Sequence, residues 1–195
     1  MYSETLKSLK EYTGKGLVTY PNGDTYDGYF SNGLREGPNG VYTYSQHGGE
    51  ETKDTYNGDW LNNQKHGIGK QNYNGVGEYY GHWENGQRHG EGVMIYINQD
   101  VYSGQWKAGK KEGPGTYVFF ETGMKYVGTY KGGQIVTGKW LYPNGSYFEG
   151  NFDNNKPKGR GKWNFENGNV VEGDYTQIKR ADVESENDIK LTWKT

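Results

Sequence analysis

Aromatic residues and glycines alternate along this chain in the order aromatic, x, Gly, x, aromatic. This spacing is typical of a β-strand, because alternate side chains of a strand point to the same face. Tyr79, Gly81 and Trp83 are therefore predicted to share one face. A second motif, Gly-x-Gly-x-x-x-aromatic, follows the first, as at residues 90–96, and predicts a partner strand.

The first motif occurs seven times, at steps of 30, 23, 23, 24, 22 and 23 residues. Repetition at such a period indicates a repeat protein. The long first step contains an insertion near residues 45–54, and two copies of the second motif are imperfect. The first full repeat spreads its glycines to Gly37 and Gly40, and the fifth keeps only Gly138, with Val136 at the other glycine position. The motif begins at Tyr26, Tyr56, Tyr79, Tyr102, Tyr126 and Phe148, with a weaker copy at Val171.

The segments between the two motifs, such as ENGQRH and KAGKKE, are rich in Gly, Asn and charge. Because Asn-Gly is a strong hairpin signal, each repeat is predicted to be a β-hairpin, with short turns joining successive hairpins. We divide the chain into an N-terminal lead (1–11), a repeat array (12–175) and a tail (176–195). The array contains a half-repeat, about six full repeats and a terminal fragment. The tail is predicted to be a charged linker followed by a strand-like segment.

Glycine within a strand leaves space for an aromatic ring to lie against the neighbouring backbone. The rings of the first motif are therefore expected to cover the glycines of the adjacent strand, and this aromatic stripe is the predicted core. The predicted fold class is all-β: an elongated, single-layer, twisted antiparallel sheet of consecutive hairpins. The stripe contains Trp60, Trp83, Trp106, Tyr130 and Phe152.

The composition narrows the classes of function. Among 195 residues there are 33 Gly and 19 Tyr, only 31% are hydrophobic, and the net charge is -2. This balance argues against nucleic-acid binding, which requires an excess of basic residues. With no Cys there is neither a disulfide framework nor a thiolate metal site. The start of the chain lacks an apolar leader segment, and we expect an intracellular protein.

Three runs, YNGDWLNNQKHGIGKQNY, YYGHWENGQRHGEGVMIY and YSGQWKAGKKEGPGTYVF, resemble the MORN repeat, and the resemblance covers about residues 12–175. A narrower similarity, to radial spoke head proteins of motile cilia and flagella, rests on residues 89–130, the shortened fifth repeat and the tail IKLTWKT. The resemblance implies a non-catalytic scaffold in the head of the axonemal radial spoke. It also implies other radial spoke head proteins as partners and a homodimer within the spoke head.

The implied location is cytoplasm, cytoskeleton and the axoneme of a cilium or flagellum. Two alternatives remain open: a MORN module that tethers a complex to anionic membrane lipids, and a targeting domain of a larger enzyme.

Candidate catalytic and metal sites are weak. Residues 133–140, GQIVTGKW, imitate a phosphate-binding loop, but Trp140 stands where Ser or Thr must hold Mg²⁺. His66 and His89 occupy the same position in consecutive repeats, roughly 9–10 Å apart if the hairpins are adjacent, which is too far for one zinc ion. We predict no enzyme activity, no cofactor and no metal.

Basic residues recur nine positions after the leading aromatic residue, at Arg35, Lys65, Arg88 and Lys111. This row is predicted to follow one edge of the sheet, where it could meet lipid headgroups or stay in solvent and prevent edge-to-edge aggregation. The solvated edge is the favoured interpretation. Ile135 and Pro157 continue the row without charge.

A docking surface is predicted on the face opposite the aromatic stripe, because that face becomes aliphatic in the third and fourth repeats. An alternative is that the tail covers this patch. The end of the tail, with apolar residues at alternate positions, is predicted to add to a sheet edge or to cap the array. The predicted partner-binding residues are Val93, Ile95, Ile97, Val118, Phe120, Leu191 and Trp193.

Overall fold

The computed structural model describes residues 10–45, 53–179 and 189–195. Within these ranges the chain forms strands and turns and no helix. Fifteen strands form one open antiparallel sheet in sequence order, from β1 to β15. The prediction of an all-β sheet of consecutive hairpins is therefore confirmed. Most of the predicted insertion, residues 46–52, lies outside the described residues, and so do residues 180–188 of the tail. The predicted linker was wrong at its start, because residues 176–179 continue the last strand of the array.

The residues divide into two units, the first up to Gln99 with Trp106–Gly109 and the second Asp100–Gln105 with Lys110–Thr195. The first unit contains β1 (Gly14–Thr19), β2 (Thr25–Ser31), β3 (Leu34–Thr43), β4 (Thr55–Leu61), β5 (Gln64–Tyr73), β6 (Gly77–Glu84) and β7 (Gln87–Tyr96). Strand β8 (Val101–Lys107) contributes residues to both units. The second unit contains β9 (Lys110–Val118), β10 (Lys125–Lys131), β11 (Gln134–Leu141), β12 (Tyr147–Asp153), β13 (Lys156–Asn164), β14 (Val170–Lys179) and β15 (Ile189–Lys194).

Each full repeat is a hairpin with a two-residue turn, and we number the hairpins one to six, from β2–β3 to β12–β13. Both turn residues have positive φ, which defines the type I′ turns that fit the twist of a hairpin. Asn and Gly tolerate this conformation, and Ala108 is the one turn residue of another type, with φ of 48°. The turns are Asn32-Gly33, Asn62-Asn63, Asn85-Gly86, Ala108-Gly109, Gly132-Gly133 and Asn154-Asn155.

Glycines face each other across successive strands. In the first unit Gly69 lies opposite both Gly58 and Gly81, and in the second unit Gly161 lies opposite both Gly150 and Gly173. A Cβ added at Gly58 would lie 2.4 Å from the Cα of Gly69, so these positions admit no side chain. The register of the sheet therefore depends on this row of glycines.

Aromatic rings fill the space that the glycines leave. A Cβ at Gly69 would lie 2.3 Å from the hydroxyl of Tyr56, so the ring of Tyr56 rests directly on the glycine backbone. The indole Nε1 of Trp83 donates a hydrogen bond to the carbonyl of Gly69, over 3.1 Å. In unit one the Tyr and Trp rings meet edge to face, with Tyr56 5.2 Å from Trp83 between centroids. All five predicted stripe residues are buried: Trp60, Trp83, Trp106, Tyr130 and Phe152.

Candidate interaction surfaces

The basic residues of the row lie on the aromatic face. The guanidinium carbon of Arg35 is 4.6 Å from the centroid of Trp60, and that of Arg88 is 4.3 Å from Trp106. This geometry is a cation–π contact, in which the ring face attracts the charge. The interpretation of the row as a solvated edge is therefore wrong, because these side chains cover indole rings of the sheet instead of standing in solvent.

Lys65 and Lys111 make the same contact. The ammonium nitrogen of Lys65 lies 4.8 Å from the centroid of Trp83, and that of Lys111 lies 4.9 Å from Tyr117. The sequence contained the signal for this placement. Since Lys65 pairs with Trp60 across a two-residue turn, its side chain must share the face of Trp60.

Hydrogen bonds join the basic residues to the turn of the following hairpin. Nη2 of Arg35 donates to the carbonyl of Asn63 over 2.9 Å, and Nη2 of Arg88 donates to the carbonyl of Gly109 over 2.8 Å. In the other direction, the amide of Gly86 donates to the carbonyl of Lys65 over 3.0 Å. The turns are thus connected along one edge of the first unit, and the guanidinium groups supply part of the connection.

Lys65 is strongly desolvated. Burial lowers its pKa to about 8, because the charged ammonium loses hydration between the rings. Its ammonium donates a hydrogen bond to the Oε1 of Gln71, a fully buried amide. Lys65 is therefore held inside the hairpin and contributes little charge to an outer surface.

The last two full hairpins of the second unit fill the corresponding positions without charge. Ile135 pairs with Tyr130 and is fully buried, and Pro157 pairs with Phe152 and is also fully buried. The asparagine contact between turns is the same in both units: Oδ1 of Asn155 accepts a hydrogen bond of 3.1 Å from the amide of Ile135, as Oδ1 of Asn63 accepts one of 2.8 Å from the amide of Arg35. The fifth and sixth hairpins are thus held by an apolar side chain and an amide.

The fifth hairpin has a shorter bulge than its neighbours. In the second hairpin, Gly67 and Ile68 are the extra residues between consecutive cross-strand pairs, whereas in the fifth only Val136 is extra. The bulge glycine, which has a positive φ in the other hairpins, is thus missing. The sequence showed both the lost glycine and the shortened repeat, whose step is 22 residues, and the structure places the deletion in the bulge.

Tyr126 departs from the arrangement of the other leading aromatic residues. The atoms nearest to Gly128 and Gly138 are backbone atoms, so the ring of Tyr126 no longer covers them. Its hydroxyl instead donates to the carbonyl of Asn155 over 2.9 Å, and its ring lies 5.1 Å from that of Phe119. Burial raises the pKa of Tyr126 to about 12.

A cleft of about 190 Å³ lies beside the displaced ring, within the second unit. Its walls are mostly aromatic, with one ammonium and one amide. Such a lining suits non-covalent contact with a single side chain. The residues that form it are Lys111, Tyr117, Phe119, Tyr126, Tyr130 and Asn155.

The predicted docking residues divide between the two units. In the first, Ile95 is 45% exposed and Ile97 69%, while Val93 is half-buried opposite Tyr80. Tyr80 is itself 57% exposed, and the sequence analysis missed it. Its period-two position on the second face of β6 was the available signal.

In the second unit, Phe120 is 59% exposed and Val118 is half-buried. The amide of Phe120 donates to the buried carboxylate of Asp100 over 2.8 Å, so its backbone is fixed while its ring faces solvent. A docking role for these residues stays a prediction.

The end of the tail pairs with its own array. Strand β15 is antiparallel to β14, with Trp193 opposite Tyr175 and Leu191 opposite Gln177. The rings of Trp193 and Tyr175 lie 4.8 Å apart. Leu191 and Trp193 are both half-buried, and their binding to a partner stays a prediction.

Residues of the remaining candidate sites take part in turns and surface contacts. Gly133 of the imitation phosphate loop is a turn residue, and the ammonium of Lys139 lies 4.6 Å from the ring of Tyr147. His89 contacts the carboxylate of Glu84 at 3.2 Å. Across residues 10–45, 53–179 and 189–195, no group of three or more metal-binding side chains occurs. The same ranges contain no helix that could span a membrane.

Comparison with protein families identifies the repeats. The MORN repeat model matches six times, over well more than half of the chain, at residues 11–25, 26–48, 56–75, 79–101, 102–121 and 148–170. The chain belongs to the MORN-repeat family. The matches leave out the fifth hairpin, whose bulge is shortened. A comparison with curated proteins found no match.

Membership in this family assigns a coarse function. MORN repeats form protein-interaction or membrane-binding modules, and proteins built from them are generally non-catalytic scaffolds. The choice between protein and lipid as the partner depends on which side chains are free to contact it.

Proposed function

We propose that this chain is a non-catalytic structural scaffold of the axonemal radial spoke head, where it mediates protein–protein contacts needed for ciliary or flagellar motility. Its partners are other radial spoke head proteins. The proposal extends the resemblance to radial spoke head protein 1, which rests on residues 89–130, the fifth repeat and the tail.

The observation that carries the proposal is that side chains of the basic row contact rings, carbonyls and an amide of the sheet itself. Binding to anionic lipid gains about 1 kcal/mol per basic residue near the surface, and only where the charges are not already compensated. Arg35 and Arg88 donate to turn carbonyls and contact indole rings, and Lys65 donates to Gln71. The row that suggested lipid binding thus supports the sheet itself, which favours a protein partner.

The second face supplies side chains for such a partner. Ile95 and Phe120 are each about half exposed, and exposed apolar residues of this size are typical of contact surfaces. Burying such side chains against a partner stabilises the complex by about 25 cal/mol for each Å² of apolar surface. We propose a docking surface on this face of each unit, with Ile95 in the first unit and Phe120 in the second.

The test is co-assembly with spoke-head proteins. Replacing Ile95 and Phe120 together by Ser should reduce co-purification by at least about tenfold while the melting temperature stays within about 2 °C, since both side chains are exposed. Replacing Lys107, an exposed residue of β8, by Ser is the matched control and should change nothing. Unchanged co-assembly of the double variant would reject this surface.

Localisation separates the scaffold from the membrane module. A tagged copy is expected in the axoneme, and the purified chain is expected to stay in the supernatant when sedimented with anionic liposomes at physiological salt. Plasma-membrane localisation together with liposome binding that Arg35→Ala weakens would overturn the scaffold and establish the lipid-binding function.

A further inference from the structure

The two outermost motifs of the array are complementary halves of a repeat. Strand β1 carries the glycine motif of a second strand, centred on Gly16, and β14 carries the aromatic motif of a first strand, centred on Gly173. Inside the array these two kinds of strand pair as one hairpin with the glycines opposite each other, as Gly150 and Gly161 do. In the described residues β1 is the first strand of the sheet, and β14 is followed by β15.

Strand β15 lies where the second strand of a hairpin, the strand with the glycine motif, would lie, but it lacks that motif. Its sequence, IKLTWK, contains no glycine, and Gly173 is covered by the indole of Trp193, which would lie 2.6 Å from an added Cβ. The ring thus fills the slot that a facing glycine would leave open. This contact holds β15 on β14 without the glycine-to-glycine register used elsewhere in the sheet.

We propose that β15 is a displaceable cap, and that the edge of β14 which it covers accepts strand β1 of a second copy of this chain. The exchange would complete the missing repeat between two molecules. It does not depend on the cellular location given under the proposed function, because both strands belong to this chain.

The register of the exchanged pair follows from the glycine row. Placing Gly16 of the second copy opposite Gly173 brings Val18 opposite Val171 on the aromatic face. In the hairpins of the array a bulge follows the facing glycines, whereas the pairing of β5 with β6 continues without one. The exchanged pair has no turn between its strands and takes the continuous form, which brings Lys15 opposite Asp174 on the other face. Both side chains are exposed in the capped chain. Opposite charges directly across an antiparallel pair are favourable, so the two edges are complementary in charge as well as in shape.

The cap is favoured in dilute solution because it belongs to the same chain. A segment on a short linker competes at an effective concentration in the millimolar range, whereas a second copy competes at its actual concentration. Assembly therefore requires a concentrated chain or a weakened cap. Because the contact joins two different edges, it is heterologous and adds copies until a ring closes or a filament grows.

The first experiment uses a reversible lock on the full chain. Thr176 and Thr192 face each other across β14 and β15, so replacing both by Cys permits a disulfide in a chain that has no other Cys. In the same chain, Trp193→Ser weakens the cap. Light scattering should give the mass of one chain when the lock is oxidised, and a mass that rises with concentration, to at least twice that of one chain, after reduction.

Charge exchange tests the register. In the reduced chain, adding Lys15→Glu should raise the concentration for half-assembly about fivefold, since it places two acids opposite each other. Adding Asp174→Lys as well should restore assembly. Lys107→Glu is the matched control and should leave the midpoint unchanged. Assembly that ignores these changes would show association through another surface and would overturn the proposal.

A second measurement keeps the native cap and does not require a weakened tail. One population of the full chain carries Lys15→Cys and another carries Asp174→Cys, each with native Trp193. Disulfide-linked dimers should form in the mixture at least about tenfold faster than in either population alone, because the contact is heterologous. If equal rates are found in all three samples, or if the folded, reduced lock variant stays monomeric, β15 is not a displaceable cap.

Discussion

The first unit and the last two full hairpins of the second unit fill the same position on the aromatic face with different kinds of side chain. At the position across the turn from the second aromatic residue, the first unit places Arg35, Lys65 and Arg88 over indole rings. The second unit places fully buried Ile135 and Pro157 at the equivalent positions of its last two full hairpins. The two-residue hairpin turn is the same in both units, so the difference at this position lies in the side chain.

The comparison shows what each solution gains. A guanidinium contacts a ring and also donates to the turn of the next hairpin, so one side chain connects two repeats, as Arg88 does with Trp106 and Gly109. Ile135 and Pro157 are buried more completely, and between the fifth and sixth hairpins the asparagine contact of Asn155 is kept without a guanidinium bond beside it. An arginine at this position therefore adds a connection between repeats that the apolar side chains do not make.

The largest expected effect comes from placing a charged residue at the apolar position of the second unit. Ile135→Lys should destabilise the chain by at least about 3 kcal/mol, because it replaces a fully buried apolar side chain by a charge without the facing indole of the first unit. Chemical denaturation measures the change. Val127→Lys, at a partly exposed position on the neighbouring β10, should cost less than about 0.5 kcal/mol. A small loss for Ile135→Lys would mean that the two solutions are interchangeable.

A smaller effect is expected from removing one cation. Arg88→Ala should cost about 2 kcal/mol, the sum of a cation–π contact and a charged hydrogen bond to Gly109. Arg88→Lys should cost about half as much, because an ammonium keeps the charge but lacks the planar fork. Equal losses for Ala and Lys would show that the hydrogen bond, rather than the charge, connects the hairpins.

The pH dependence of stability should differ between the wild type and Lys65→Met. The folded pKa of Lys65, about 8, lies below its unfolded value of 10.5, so the unfolded state binds more protons between these values. The penalty for charging Lys65 is full below about pH 8 and is relieved as the pH rises through this window. Denaturation midpoints between about pH 7 and 9.5 should rise for the wild type relative to Lys65→Met.

The upper limit of that range avoids the buried tyrosines. Burial raises the folded pKa of Tyr26 to about 12, so the unfolded state loses the phenol proton first and stability falls above about pH 10. If the denaturation midpoints of the wild type and of Lys65→Met change with pH in the same way below about pH 9.5, Lys65 is not desolvated in the folded chain.

The smallest expected effect is a gain in stability. Ala108 has a φ of 48° in the turn whose carbonyl receives Arg88. Ala108→Asn should stabilise the chain by about 0.5–1 kcal/mol, because Asn adopts this conformation at lower cost. Thermal unfolding measures the gain, and Lys107→Asn next to the turn is the control. The turn and the guanidinium act together if Ala108→Asn stabilises the chain that carries Arg88 but does not stabilise the Arg88→Ala variant.

Period and turn chemistry made the hairpins, the aromatic face and the glycine slots predictable from sequence. The place of the basic row was not predicted, because residues 65 and 88 were counted along the chain rather than across the turn, where each faces a tryptophan. The cleft could not be predicted in this way. The shortened repeat is visible in the sequence, but the departure of the Tyr126 ring from its glycine slot is a consequence of packing that has no local signal.

The bulge lets the hairpins of this repeat family vary in length without a change in strand pairing. Between matching cross-strand pairs, the fifth hairpin carries one extra residue, the second carries Gly67 and Ile68, and the first carries more still. A one-residue change in a regular strand would turn every following side chain to the wrong face. Because the bulge absorbs the change, insertions and deletions at this site leave the glycine register on both flanks intact. Repeats of unequal length can therefore be duplicated, lost or recombined while the sheet that they build continues unbroken.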